Sequence, residues 1–134
     1  MYYVYTLQCK DETLYTGLAR HLCRRMKEHA ERSARCARYT RSHPVKALVG
    51  LWAVADRQTA ARLEYAVKRL TRENKLRLLN EPERAAALIP DKAVIPVRGV
   101  TLADCLADKF DEESVADRLL SEVSFPDTQP TQSR

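Results

Sequence analysis

The sequence predicts an α/β fold of the layered α+β kind: a small, mostly antiparallel three-stranded sheet in the order β-β-α-β-α-α, flanked by helices, with a helical C-terminal extension. Three observations predict it. Aromatic and β-branched side chains flank a short polar turn within residues 2–19, and the apolar period lengthens from two to that of a helix after Gly17. A continuous apolar run at 45–55 is then followed by two capped helical stripes.

In the first run Tyr3 and Tyr5 lie two apart and share one strand face, with Val4, Thr6 and Gln8 on the other. Leu14-Tyr15-Thr16-Gly17 resumes the pattern after Lys10-Asp11-Glu12, which makes a hairpin although the turn lacks Asn-Gly or Asp-Gly. Leu22, Cys23, Met26 and Ala30 fall at helical spacing, and Arg24, Arg25, Lys27 and Glu28 lie on other faces. Residues 33–44 are basic and poor in apolar side chains, and Pro44 disfavours helix at His43, so a loop over a binding face is expected. The run VKALVGLWAVA is too apolar for a surface strand and predicts the sheet's central strand, buried on both faces. Asp56 caps a helix whose core stripe is Ala60, Leu63, Val67 and Leu70, and Thr71 caps a shorter one that stops before Pro82. One helical layer should cover the sheet.

Residues 1–80 thus predict one domain. Residues 81–124 predict an acidic, mainly helical extension packed on it: a helical turn at 83–88, an extended piece at 93–97, and helices at 101–110 and 112–123 capped by Thr101 and Asp111. Residues 125–134 are expected to form a disordered tail. The length suits one core, and a monomer is favoured.

The net charge of +5 conceals a division. Residues 1–80 hold 17 Lys+Arg against 7 Asp+Glu, whereas residues 81–134 hold 6 against 11. Arg20, Arg24, Arg25, Lys27, Arg32, Arg35, Arg38 and Arg41 are densest, and arginine's planar guanidinium grips phosphate oxygens in pairs, so a polyanion is the expected partner. Tyr39 among these arginines could stack on a base or pack its loop, with equal weight. Cys9, Cys23, Cys36 and Cys105 form no C-x-x-C pair, and His21, His29 and His43 add no zinc spacing. No apolar run approaches the roughly 20 residues of a membrane span, and no leader precedes the first strand, so a cytoplasmic protein without a membrane partner is expected.

Tyr3-Val4-Tyr5 and Tyr15-Thr16-Gly17 resemble the two halves of the GIY-YIG nuclease signature. Arg25 in LCRRMKEH, His29 one helical turn on, and Glu64 in LEYAVKRL follow in that family's order, and the whole is similar to its small stand-alone bacterial members over about residues 1–80. The sequence departs from the pattern at Tyr3, where the signature has glycine, at Asp11-Glu12, where Asp-Gly is usual, and at His21, where Asp or Asn precedes the helix. The resemblance implies a metal-dependent endonuclease acting on DNA, single-stranded or branched substrates included. Tyr5 would be the general base with Tyr15 as its positioning partner, Arg25 would face the phosphate, and His29 would relay a proton or hold an oxygen. Glu64 would hold Mg²⁺ or Mn²⁺. Gly17, Arg20, Arg24, Lys27, Arg35, Arg38, Tyr39, Arg41 and Lys68 would contact nucleic acid, Gly17 by letting backbone approach a phosphate.

A free phenol with a pKa near ~10 is a weak base at neutral pH; lowering Tyr5 by about two units takes roughly 2.7 kcal/mol of favourable interaction with the phenolate, which Arg25, a metal and its bound water could supply. Lys68 stands four residues after Glu64, and a simple ion pair competes with metal binding there. The reading from a different class is a non-catalytic nucleic-acid-binding module using the basic helix and loop.

Overall fold

The computed structural model describes residues 1–31 and 37–124. Its antiparallel sheet has the order β2-β1-β3-β4, built from β1 (Tyr2–Cys9), β2 (Leu14–Ala19), β3 (Val45–Val54) and β4 (Ile95–Pro96). Helices α1 (Leu22–Glu31) and α2 (Arg38–Ser42) follow the hairpin, and α3 (Arg57–Lys68) and α4 (Arg72–Asn80) follow β3. A 3-10 helix (Pro82–Leu88), β4, α5 (Leu102–Leu106) and α6 (Glu112–Ser124) complete the described chain.

The sheet therefore has four strands rather than the expected three. The fourth comes from the extension, where Ile95 and Pro96 pair with Ala53 and Trp52. The alternation of strand β1 sorts its side chains as expected: Tyr3, Tyr5 and Leu7 enter one core and Val4 another. Helices lie on both faces, which corrects the single helical layer. Leu22 and Met26 of α1 pack on the tyrosine face with Cys105, Val115 and Leu119 from the extension. Ala60, Leu63 and Val67 of α3 pack on the opposite face with Trp52 and Leu78. The extension's apolar residues are what close the second layer.

The caps form as the sequence reads. Asp56 accepts from the Thr59 amide, Thr71 from Asn74, and Asp111 from Ser114. Thr101 and Asp104 make a reciprocal capping box. Helix α5 nevertheless stops at Leu106 instead of reaching 110. Asp108 adopts φ 56°, its amide bonds to the Cys105 carbonyl and the Lys109 amide to that of Asp104, which is a Schellman ending.

Two local expectations need revision. Part of the predicted loop is the short helix α2, which stops with extended backbone at His43, where the following proline disfavours helix. At the hairpin, Glu12 takes the left-handed φ of 70° that glycine adopts without cost. Its side chain is held by Gln8 and Lys46 and its carbonyl by Arg72.

Candidate active site

Strand β1 faces β2 with Tyr5 opposite Gly17 and Leu7 opposite Tyr15, so the two signature tyrosines are diagonal neighbours on one face. Their ring centroids are 6.4 Å apart. Gly17 lies inside β2, not at a strand-helix junction, and its open Cα side is filled from within the protein. A Cβ there would sit 2.6 Å from the Tyr5 hydroxyl and 2.8 Å from Cζ. Only a residue without a side chain lets the phenol lie flat on the neighbouring strand. Gly17→Ala is therefore expected to lower unfolding free energy by about 1–3 kcal/mol through overpacking, measured by urea denaturation.

Helix α1 brings Arg25 and His29 to the same phenol. The Tyr5 hydroxyl is 2.7 Å from His29 Nε2 and accepts from Arg25 Nε at 3.4 Å. On the far side of the imidazole, Nδ1 is 2.7 Å from Thr40 Oγ1, and the Thr40 hydroxyl donates to the Ala37 carbonyl. That one proton being committed, His29 Nδ1 donates to Thr40, and Nε2 is left to accept the proton of Tyr5. The direction of the chain Tyr5 to His29 to Thr40 to Ala37 follows from counting donors.

Tyr5 and His29 are both fully buried. Burial is the largest influence on the phenol and raises its pKa well above that of free tyrosine; the hydrogen bond from Arg25 opposes the rise and the charge of Glu64 adds to it. The expected lowering of Tyr5 is thus reversed in direction, and Tyr5 is a neutral phenol at neutral pH. Burial, with Arg25 beside it, depresses His29 to about 4, so the imidazole is neutral and free to accept. Between the ordinary histidine value and about 4 the unfolded chain binds more protons, so His29 makes folding stability fall as pH drops through that window. Wild type should lose on the order of 3 kcal/mol more than His29→Gln between about pH 7 and 4, checked by denaturation across that range.

Glu64 comes from α3, which packs on the other face of the sheet against β1 and the edge strand β2. Its charge acts on Tyr5, and its ion-pair partner Lys68 places Nζ 5.9 Å from the centre of the Tyr15 ring. The competing ion pair is real, at 3.3 Å, but the carboxylate is partly open to solvent. Among the described residues no three His, Cys, Asp or Glu side chains gather as a metal cage. A lone carboxylate is nonetheless the donor set that fits Mg²⁺ or Mn²⁺, whose shell is otherwise completed by waters and phosphate oxygens.

The remaining expected contacts divide. Arg20, Arg24, Arg38, Arg41 and Lys68 are exposed. Lys27 instead pairs with Asp108 at 2.8 Å, which ties α1 to the extension. Tyr39 lies parallel to His43, with centroids 3.9 Å apart, and stacks on Tyr15 at 5.8 Å, so the ring packs its own segment. Arg35 lies outside the described residues. Two residues of the site were missed in the sequence. Glu28 binds Arg25 at 2.8 Å, and Thr40 orients His29. The first was readable as an i,i+3 pair; nothing in local spacing announces the second.

Among the described residues no helix is long and apolar enough to cross a membrane. A family model described as the GIY-YIG catalytic domain matches residues 1–77. The chain is similar to the UPF0213 protein BH0048 of Halalkalibacterium halodurans, 43% identical over 79 residues that span 59% of this chain and 82% of that one. It is likewise similar to the UPF0213 protein DP2720 of Desulfotalea psychrophila, 41% identical over 88 residues, 66% of this chain and 79% of that one. A solution NMR structure of the UPF0213 protein BH0048 from Bacillus halodurans aligns at 40% identity over 64% of this chain and 94% of that chain, with a TM-score of 0.40. The chain belongs to the GIY-YIG catalytic-domain family, and its relatives are small bacterial UPF0213 proteins.

Proposed function

We propose that the protein is a metal-dependent endonuclease that hydrolyses DNA phosphodiester bonds by water attack, with Tyr5, Tyr15, Arg25, His29 and Glu64 as its catalytic set. The single observation that carries this reading is the 2.7 Å bond from the Tyr5 hydroxyl to the acceptor nitrogen of His29. A phenol that already has a base behind it need not ionise first. Tyr5 takes a proton from the attacking water as its own passes to His29 Nε2, and no free phenolate is formed in the buried site. Arg25, held against the same hydroxyl, places positive charge where the transferring phosphoryl group gains negative charge. Tyr15 walls the phenol and fixes its direction. When bound at Glu64, a divalent cation would add Lewis-acid stabilisation of phosphoryl and leaving oxygens.

The acidic extension is assigned a structural role in this reading. It supplies Cys105, Val115 and Leu119 to the core around Tyr3 and Tyr5.

The competing reading is a binding module without catalysis. It draws support from the full burial of Tyr5 and from the pairing of Glu64 with Lys68. Cleavage assays on single-stranded, double-stranded and branched DNA separate the two. Cleavage with Mg²⁺ or Mn²⁺ that a chelator abolishes, with DNA affinity retained, supports the enzyme. Binding that weakens steeply with salt, with every substrate intact at high protein concentration, supports the module.

A further inference from the structure

We propose that Cys23 and Cys105 are a dithiol pair that a small disulfide oxidises to an intramolecular crosslink, stapling the C-terminal extension to the helix that carries Arg25 and His29. Cys23 lies on α1 and is partly exposed; Cys105 lies on α5 and is fully buried in the core formed with Tyr3, Leu22 and Met26. Cys23 packs against that core, and α5 rests on α1 more extensively than any other two described helices rest on each other. The Lys27–Asp108 ion pair at 2.8 Å joins the same two segments one turn further along α1. Burial, the charge that a neighbouring Cys23 thiolate would carry and a hydrogen bond that the Cys105 thiol donates to Cys23 all push Cys105 well above an ordinary thiol. Cys9 belongs to a different neighbourhood, at the hairpin turn beside Thr13 and Asp11.

The exposures set the order of reaction. The reachable Cys23 sulfur attacks a disulfide R–S–S–R, forming a Cys23–S–S–R mixed disulfide and releasing one RSH. The Cys105 thiol then displaces the second RSH, leaving the Cys23–Cys105 bond. The protein loses two electrons and two protons, and the reagent gains both as two thiols. A buried thiol with a raised pKa is a poor leaving group, so the finished bond resists reduction better than the mixed disulfide that precedes it. Cys23 lies within the family match at 1–77 and Cys105 beyond it, so the bond would join the catalytic domain to the extension.

The full chain is incubated with oxidised glutathione, unreacted thiols are alkylated after unfolding, and intact mass and linked peptides are measured. The expected product is one Cys23–Cys105 crosslink, lighter by two hydrogens, with Cys9 still alkylated and a thermal midpoint raised by roughly 5–15 °C. Cys105→Ala should instead retain a lasting glutathione adduct on Cys23, while Cys9→Ala should crosslink like wild type. A lasting adduct on Cys23 in the full chain with Cys105 still alkylatable would overturn the proposal. So would a crosslink through Cys9 or Cys36, or recovery of both thiols unreacted. None of these readouts requires that the protein cut DNA.

Discussion

Tyr5→Phe is expected to reduce cleavage by about 10²–10⁴-fold while leaving DNA affinity within about twofold, because it removes the hydroxyl that takes the proton and nothing that meets the nucleic acid backbone. The ring stays in place against Gly17, so the effect is not one of packing. A stability loss accompanies it. His29 Nε2 is fully buried and would lose its donor, which costs about 1–3 kcal/mol for an unsatisfied group. Single-turnover cleavage, filter binding and denaturation measured on the same preparation separate the three effects. Cleavage within about threefold of wild type would remove Tyr5 from the chemistry, since general-base contributions are far larger.

Glu64→Ala should lower cleavage on the order of 10³-fold and make the residue insensitive to metal, with a quite different signature in stability and binding. Glu64 and Lys68 form a surface i,i+4 pair in which Lys68 is half exposed, so folding should change by only about 0.5 kcal/mol. Freed of its carboxylate, Lys68 adds positive charge beside Tyr15, and DNA affinity should hold or rise. A protein that binds better and cuts far less would be hard to explain by misfolding. Equal cleavage by wild type and Glu64→Ala would leave the carboxylate as a helix-surface ion pair alone.

The order of residues carried much of this site into the sequence. Tyr5, Tyr15, Arg25, His29 and Glu64 were picked out by their resemblance, in order, to the GIY-YIG signature, whereas the periods of strand and helix by themselves placed only Tyr3 with Tyr5 and Arg25 with His29 on shared faces. The helix caps at Asp56, Thr71 and Thr101 were legible because a short polar side chain just before an apolar helical stripe accepts the first free amides. Contacts made across the fold were not. Strand β4 is two residues long and includes a proline, too short for any alternation, and its pairing depends on where the extension returns. Thr40 reads as one more polar residue in a basic segment until His29 is placed against it. Lys27 looked like a phosphate ligand because its partner, Asp108, is distant in sequence and lies in the extension. The protonation of Tyr5 was misjudged because charge neighbours can be guessed from sequence, whereas complete burial depends on the extension packing over the same core.

The central claim is that Tyr5 and His29 form one proton path. It is tested most directly by single-turnover DNA cleavage in Mg²⁺ for wild type, Tyr5→Phe, His29→Gln and the double variant. Groups that act as a unit do not contribute independently, so the double variant should lose no more than the worse single one. A wild-type chain that cuts no DNA, or losses that multiply in the double variant, would contradict the account.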